Sequence, residues 1–223
     1  MGKSRKQASA ESGKRLTIMV SSSVYGIEEL LDRIYTMLTQ FGYEVWMSRA
    51  GTIQVFSDRP AFASCLDAVE KCDLFLGLIT PSYGSGKDAD GPSITHQELL
   101  KAIELNKPRW LLAHDHVVFA RALLNNLGFE GKAGRKAISI KKKNSRIMDD
   151  LRVIDMYEDA TISHKPLGER EGNWVQSFES DDDAMRFAIA QFSRYQEVEE
   201  FVRENLQDRE SVAREVARTR DVP

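Results

Sequence analysis

Residues 74–79, Leu-Phe-Leu-Gly-Leu-Ile, form a run without one polar side chain, entered from Asp73 and left at Thr80-Pro81. A strand with one wet face alternates apolar and polar residues. A strand that is apolar throughout suits a parallel sheet covered by helices on both faces. Parallel neighbours cannot be joined by a tight hairpin, so each pair needs a crossover, usually a helix. The run therefore predicts that helical patterns stand before and after it, and they do.

Residues 16–20 read as a first short apolar strand, ended by Ser21-Ser22-Ser23. Residues 25–41 carry Ile27, Leu30, Leu31, Ile34, Leu38 and Phe41 at helical spacing, and Gly42 stands where a left-handed stop is favoured. Residues 43–47 read as a second strand and residues 48–59 as a loop. Pro60 opens a helix whose stripe is Phe62, Cys65, Leu66 and Val69. After the 74–79 strand come a glycine-containing loop over 81–92 and a helix over 93–106, with Ser93 as N-cap. Residues 109–113 read as a fourth strand and 114–127 as a helix, with Asp115 as its cap. Residues 150–157 read as a fifth strand and 162–173 as a loop. Asp181-Asp182-Asp183 is expected to cap a long helix with Met185, Ala188, Ile189, Phe192, Tyr195, Val198, Val202 and Leu206 on one stripe.

This alternation implies right-handed βαβ crossovers and an open, mostly parallel sheet of about five strands. The expected organisation is a disordered basic segment over 1–15, an α/β domain over 16–160, and an extension over 161–223 containing the long helix. The formal charge of −3 gives no general attraction to nucleic acid or anionic membrane. No apolar run approaches the ~18 residues that cross a bilayer, and residues 1–15 lack a signal peptide's apolar stretch. Cys65 and Cys72 share a helix face, too far apart to bridge. Reduced thiols and the missing signal point to a cytoplasmic location.

Functional candidates gather at the C-terminal ends of the strands, where open α/β sheets bind ligands. Thr95, Glu98 and Ala102 share one helix face at i, i+3 and i+7. Glu98 thus offers a carboxylate at that rim, although a helix dipole also favours a solvated glutamate there. Ser21, Ser22, Ser23 and Tyr25 offer hydroxyls for a ribose or phosphate, or a cap for the first helix. Tyr83, Gly84 and Ser85 lie in the third rim loop, where glycine permits close backbone approach or simply a turn. Asp73 stands at the opposite end of its strand and reads as structural. Arg49 and Arg59 are either phosphate ligands or surface arginines. His114-Asp115-His116 supplies an incomplete metal shell. The basic stretch 131–146 holds seven Lys/Arg and no acid, and few aromatics for base stacking. It reads as a mobile solvated loop, and a specific nucleic-acid site is not expected. There is no Walker A run, GxGxxG or nucleophile elbow.

Taken together, Val20-Ser21-Ser22-Ser23-Val24-Tyr25, the 73–79 strand, Tyr83-Gly84-Ser85, Ser93-Ile94-Thr95-His96-Gln97-Glu98 and Asn106-Lys107-Pro108 resemble an uncharacterised bacterial TIR-like family of the DUF4062 type. The likeness covers roughly residues 16–115. The Thr95, Glu98 and Ala102 element is also similar to the Thr-x-x-Glu-x-x-x-Ala element of nucleoside 2-deoxyribosyltransferases. Where those enzymes carry Asp-x-Gly before the threonine, this chain has Pro92-Ser93-Ile94. The resemblance implies a flavodoxin-like, TIR-like three-layer α/β sandwich. It implies Glu98 as catalytic residue, with Ser21, Ser22, Ser23, Tyr25, Tyr83, Gly84, Ser85, Ser93 and Thr95 around the ligand. The implied function is binding, and possible cleavage, of the N-glycosidic bond of NAD or a related nucleotide in bacterial defence or signalling. The alternative is a non-catalytic nucleotide-sensing or protein-interaction module. NAD or a nucleotide enters as substrate or ligand, with no separate cofactor. Implied partners are a second copy of the chain or an effector protein, without a membrane.

Overall fold

The computed structural model describes residues 15–84, 91–141 and 147–195. Five parallel strands form one sheet: β1 (Thr17–Ser22), β2 (Glu44–Met47), β3 (Leu74–Ile79), β4 (Arg109–His114) and β5 (Val175–Phe178). Their spatial order is β2-β1-β3-β4-β5, a flavodoxin-like order. The helices are α1 (Glu28–Gln40), α2 (Ala61–Lys71), α3 (Ile94–Glu104), α4 (Asp115–Asn126), α5 (Gly131–Arg135), α6 (Arg152–Ala160) and α7 (Asp181–Phe192).

The central strand β3 is buried at every residue, as its composition requires. Its side chains divide by the period of two. Leu74, Leu76 and Leu78 enter a core shared with α1 and α7, while Phe75 and Ile79 enter one shared with α2, α3, α4 and α6. Below the sheet, the Asp73 carboxylate accepts hydrogen bonds from Thr17 N at 2.8 Å and Thr17 Oγ1 at 2.9 Å, fixing β1 against β3. Asp73 is structural, as its position at the strand's start suggests.

Local stops act as their chemistry dictates. At the end of α1, Gly42 has φ +90°. Its N–H reaches Thr39 O and the Tyr43 N–H reaches Leu38 O, closing a Schellman motif. The Ser93 hydroxyl accepts from His96 N at the start of α3.

Several segments differ from their sequence expectation. Residues 150–157, read as a strand, instead lead into and form most of helix α6 (Arg152–Ala160). Val153, Ile154, Met156 and Ala160 form one buried helical face, and short apolar runs do not distinguish the two states. The fifth strand is Val175–Phe178, hydrogen-bonded to β4, so part of the 161–223 segment completes the sheet. Ser21 and Ser22 continue β1 rather than ending it. His114, not Asp115, caps α4, its Nδ1 accepting the His116 N–H at 3.1 Å.

The cap of α7 is Ser180, in a capping box with Asp183. The three aspartates occupy the first turn, and Ile189 faces solvent rather than joining the buried Ala184, Ala188 and Phe192. Tyr43 donates to Phe192 O at 2.9 Å, anchoring this end of the chain to the start of β2. The basic stretch contains α5, and Arg135 is buried between Asp155 and Glu158. Lys142, Lys143 and Arg146, residues 1–14, and the C-terminal part of the long helix expected from sequence lie outside the described residues.

Candidate functional site

The sheet order creates a crevice. The chain leaves β1 for α1 on one face of the sheet and leaves β3 for α3 on the other. Loops therefore diverge between β1 and β3, the switch point where this fold class binds ligands. Ser21, Ser22 and Ser23 follow one side of that crevice and Thr80 to Gly84 the other. Ser21 pairs with Gly77 in the β1–β3 ladder.

Glu98, on the second turn of α3, packs against the end of β1 at this switch point. Its Oε2 accepts a short hydrogen bond from Ser21 Oγ. The Cys65 thiol of α2 lies beside the carboxyl. Glu98 is only 5% exposed. Burial pushes its pKa up to about 7, against the hydrogen bonds from Ser21 and Cys65, which favour the ionised form. The same burial, with the carboxyl beside it, pushes the Cys65 thiol up to about 12, so Cys65 is a neutral donor and no nucleophile. The constellation thus holds one carboxyl poised between its two protonation states near neutral pH.

Around it lies a layer of hydroxyls. Ser23 Oγ and Thr80 Oγ1 are 2.5 Å apart, both buried. Gly84 has φ +84°, a conformation that other residues rarely adopt. A Cβ there would stand 3.4 Å from Ser23 Cβ and 3.5 Å from Thr95 Oγ1, so the backbone at 84 lies directly against both residues. Thr95 is buried, as its shared face with Glu98 and Ala102 predicts.

Other sequence candidates are placed differently. Tyr25 is exposed at 62%, and Ser22 donates to the carbonyl of Ser23 at 2.9 Å. Tyr83 is turned inward. Its hydroxyl meets His96 Nδ1 at 2.8 Å, and its N–H meets Asp149 Oδ1 at 2.8 Å. Ser93 is fully buried at its cap. Ser85 lies outside the described residues. Arg49 pairs with Asp32, and Arg59 with Asp58 and Asp67, so both arginines are engaged on the surface. Among the described residues no group of three or more His, Cys, Asp or Glu could hold a metal ion.

Sequence reasoning missed the support behind the rim. His96 Nε2 meets Asp159 Oδ2 at 2.9 Å, which leaves Nδ1 for the Tyr83 hydroxyl. Lys132 donates to the same carboxylate at 3.0 Å. This chain of polar contacts ties the third rim loop and α3 to α6. His96 is adjacent to Thr95 on α3, but its partner Asp159 stands between the segments read as a strand (150–157) and a loop (162–173), so no spacing signalled it.

Fold and site together define a doubly wound parallel α/β domain with a carboxyl at its switch point. The chain belongs to the DUF4062 family, a domain of unknown function, whose model matches residues 17–207. No curated protein matches it. A conserved protein from Enterococcus faecalis V583, known as a crystal structure, is similar at 11% identity, with 79% of this chain and 99% of that chain covered and a TM-score of 0.38. Among the described residues no helix is long and apolar enough to cross a membrane.

Proposed function

We propose that this domain binds a nucleotide at the β1–β3 switch point and acts on its N-glycosidic bond through Glu98. The observation that carries the reading is the Ser21–Glu98 pair, a carboxyl built into the floor of the crevice and held near pKa 7. Cleavage of an N-glycosidic bond passes through an oxocarbenium-like state, with positive charge at C1 of the ribose. A carboxylate oriented by a serine hydroxyl stabilises that charge or attacks the carbon. A departing nicotinamide needs no protonation, so one carboxyl is enough for NAD. The hydroxyls of Ser23, Thr80 and Thr95 and the close backbone at Gly84 suit a sugar and its phosphates. The resemblance to TIR-like domains and deoxyribosyltransferases supports the same assignment, and with it a role in defence or signalling.

A second reading rests on the burial of Glu98. A carboxyl only 5% exposed suits a non-catalytic nucleotide-sensing or partner-binding module equally well in this conformation. Incubating the protein with NAD and with nucleosides, followed by product analysis and calorimetric titration, separates the two. Release of nicotinamide or free base supports the enzyme. Saturable binding without products supports the module, and neither binding nor turnover refutes both.

A further inference from the structure

A second concavity lies away from Glu98, between edge strand β2, the loop that follows it, and α2. Its volume is about 160 Å³, close to the ~150 Å³ of an engineered protein cavity that takes up benzene. Trp46 and Phe56 supply aromatic walls, and Ile53 and Ala68 add apolar surface. The Trp46 indole is fixed in place, its Nε1 donating to Glu44 at 2.9 Å. Arg59 lies 4.8 Å from the Phe56 ring centre and also pairs with Asp67.

One polar atom in this wall is unsatisfied. Ser64, 1% exposed, lines the pocket, and its Oγ has no hydrogen-bond partner. A helical serine often bonds back to the carbonyl four residues earlier. Here that carbonyl, Pro60 O, accepts from Ala63 N instead. Buried hydroxyls are rarely left unpaired, so an orphan hydroxyl in a pocket wall calls for a partner from outside the chain. Glu44 and Asp67 add acceptors at the same pocket.

We infer that this pocket binds one planar aromatic ring bearing an amide or amino group. The ring packs between Trp46 and Phe56, the Ser64 hydroxyl bonds the substituent, and the carboxylates of Glu44 and Asp67 accept its N–H groups. The inference stands apart from the assignment of Glu98, because none of these residues touches that carboxyl in the described contacts.

Benzamide and toluene are the probes, titrated into isotope-labelled protein and followed by NMR. Benzamide should shift the Trp46 indole and Ala68 signals saturably, with Kd of about 1 mM, as expected for so few heavy atoms. Ser64→Ala removes an unpaired buried hydroxyl and should fold normally. It should weaken benzamide roughly 10-fold, as loss of one hydrogen bond does, and leave toluene unchanged. Ala68→Leu fills the space and should abolish both. Glu98→Gln should bind benzamide as the wild type does. No saturable shift up to ~10 mM, or binding indifferent to both pocket substitutions, overturns the proposal. Loss of benzamide binding in Glu98→Gln would place the ring at the rim and overturn it too.

Discussion

Replacing Glu98 by glutamine should make the protein more stable above neutral pH and change the shape of its stability curve. In the unfolded chain the carboxyl titrates at its ordinary 4.5; in the fold it titrates at about 7. Below pH 4.5 both states are protonated, and the carboxyl adds no pH dependence. Between 4.5 and 7 the unfolded chain releases its proton while the folded chain keeps it. Stability therefore falls by about 1.36 kcal/mol per pH unit across that window. Above 7 both states are ionised, and the loss is complete at about 3 kcal/mol. Glutamine keeps the size and the acceptor for Ser21 but has no proton to lose. Urea unfolding of wild type and variant at pH 5, 6, 7 and 8 isolates this one group, because every other titration cancels in the difference. The advantage of the variant should grow by about 2.5 kcal/mol from pH 5 to pH 8, roughly 5–10 °C in Tm for a chain of this size. A difference that stays flat with pH would show that Glu98 is ordinarily solvated and refute the buried site.

Other consequences are open to direct measurement. If ionised Glu98 drives turnover, kcat/KM should rise about tenfold per pH unit below 7 and level off above it; a profile flat from pH 5 to 8 would exclude that role. Arg135→Ala leaves the half-buried carboxylate of Asp155 without its cation and takes one of two arginines from Glu158, which keeps Arg121 at 3.0 Å, and should cost about 1–3 kcal/mol in denaturant unfolding, whereas a mobile-loop arginine would cost nothing measurable. Asp73→Ala removes the acceptor shared by the Thr17 N–H and hydroxyl and should cost about 1–3 kcal/mol, with no change in ligand binding at the opposite rim. Self-association follows from the resemblance to TIR-like domains: light scattering should find a dimer at micromolar concentration, and a monomer there would remove that expectation.

The parts of the fold legible in the sequence are those whose signal is local. The apolar run of β3, the stripe of α1, the stop at Gly42 and the cap at Ser93 each announce themselves within a few residues. The C-terminal third was harder to read for a physical reason. Strand β5 has four residues, Val-Gln-Ser-Phe, and is an edge strand whose identity comes from pairing with β4. Helix α6 shows an apolar run too short to reveal its period. Arg135 looked like one cation among many because its partners, Asp155 and Glu158, lie 20 and 23 residues away.

At the site, the spacing of Thr95, Glu98 and Ala102 put all three on one face of α3, and in the structure that face is buried. Its contacts with Ser21, 77 residues away, and with Cys65 depend on how β1, α2 and α3 pack together. Tyr83 shows the limit of reading a loop from composition. A tyrosine beside glycine suggests a ligand contact, yet its ring is buried and its hydroxyl serves His96.

The most direct test of the account is the rate of nicotinamide release from NAD by wild type and by Glu98→Gln at pH 8, each shown to be folded. The account predicts release by the wild type and a loss on the order of 100-fold or more in the variant, with NAD still bound. Equal rates in the two proteins would contradict it, because the carboxyl at the switch point would then have no part in the chemistry.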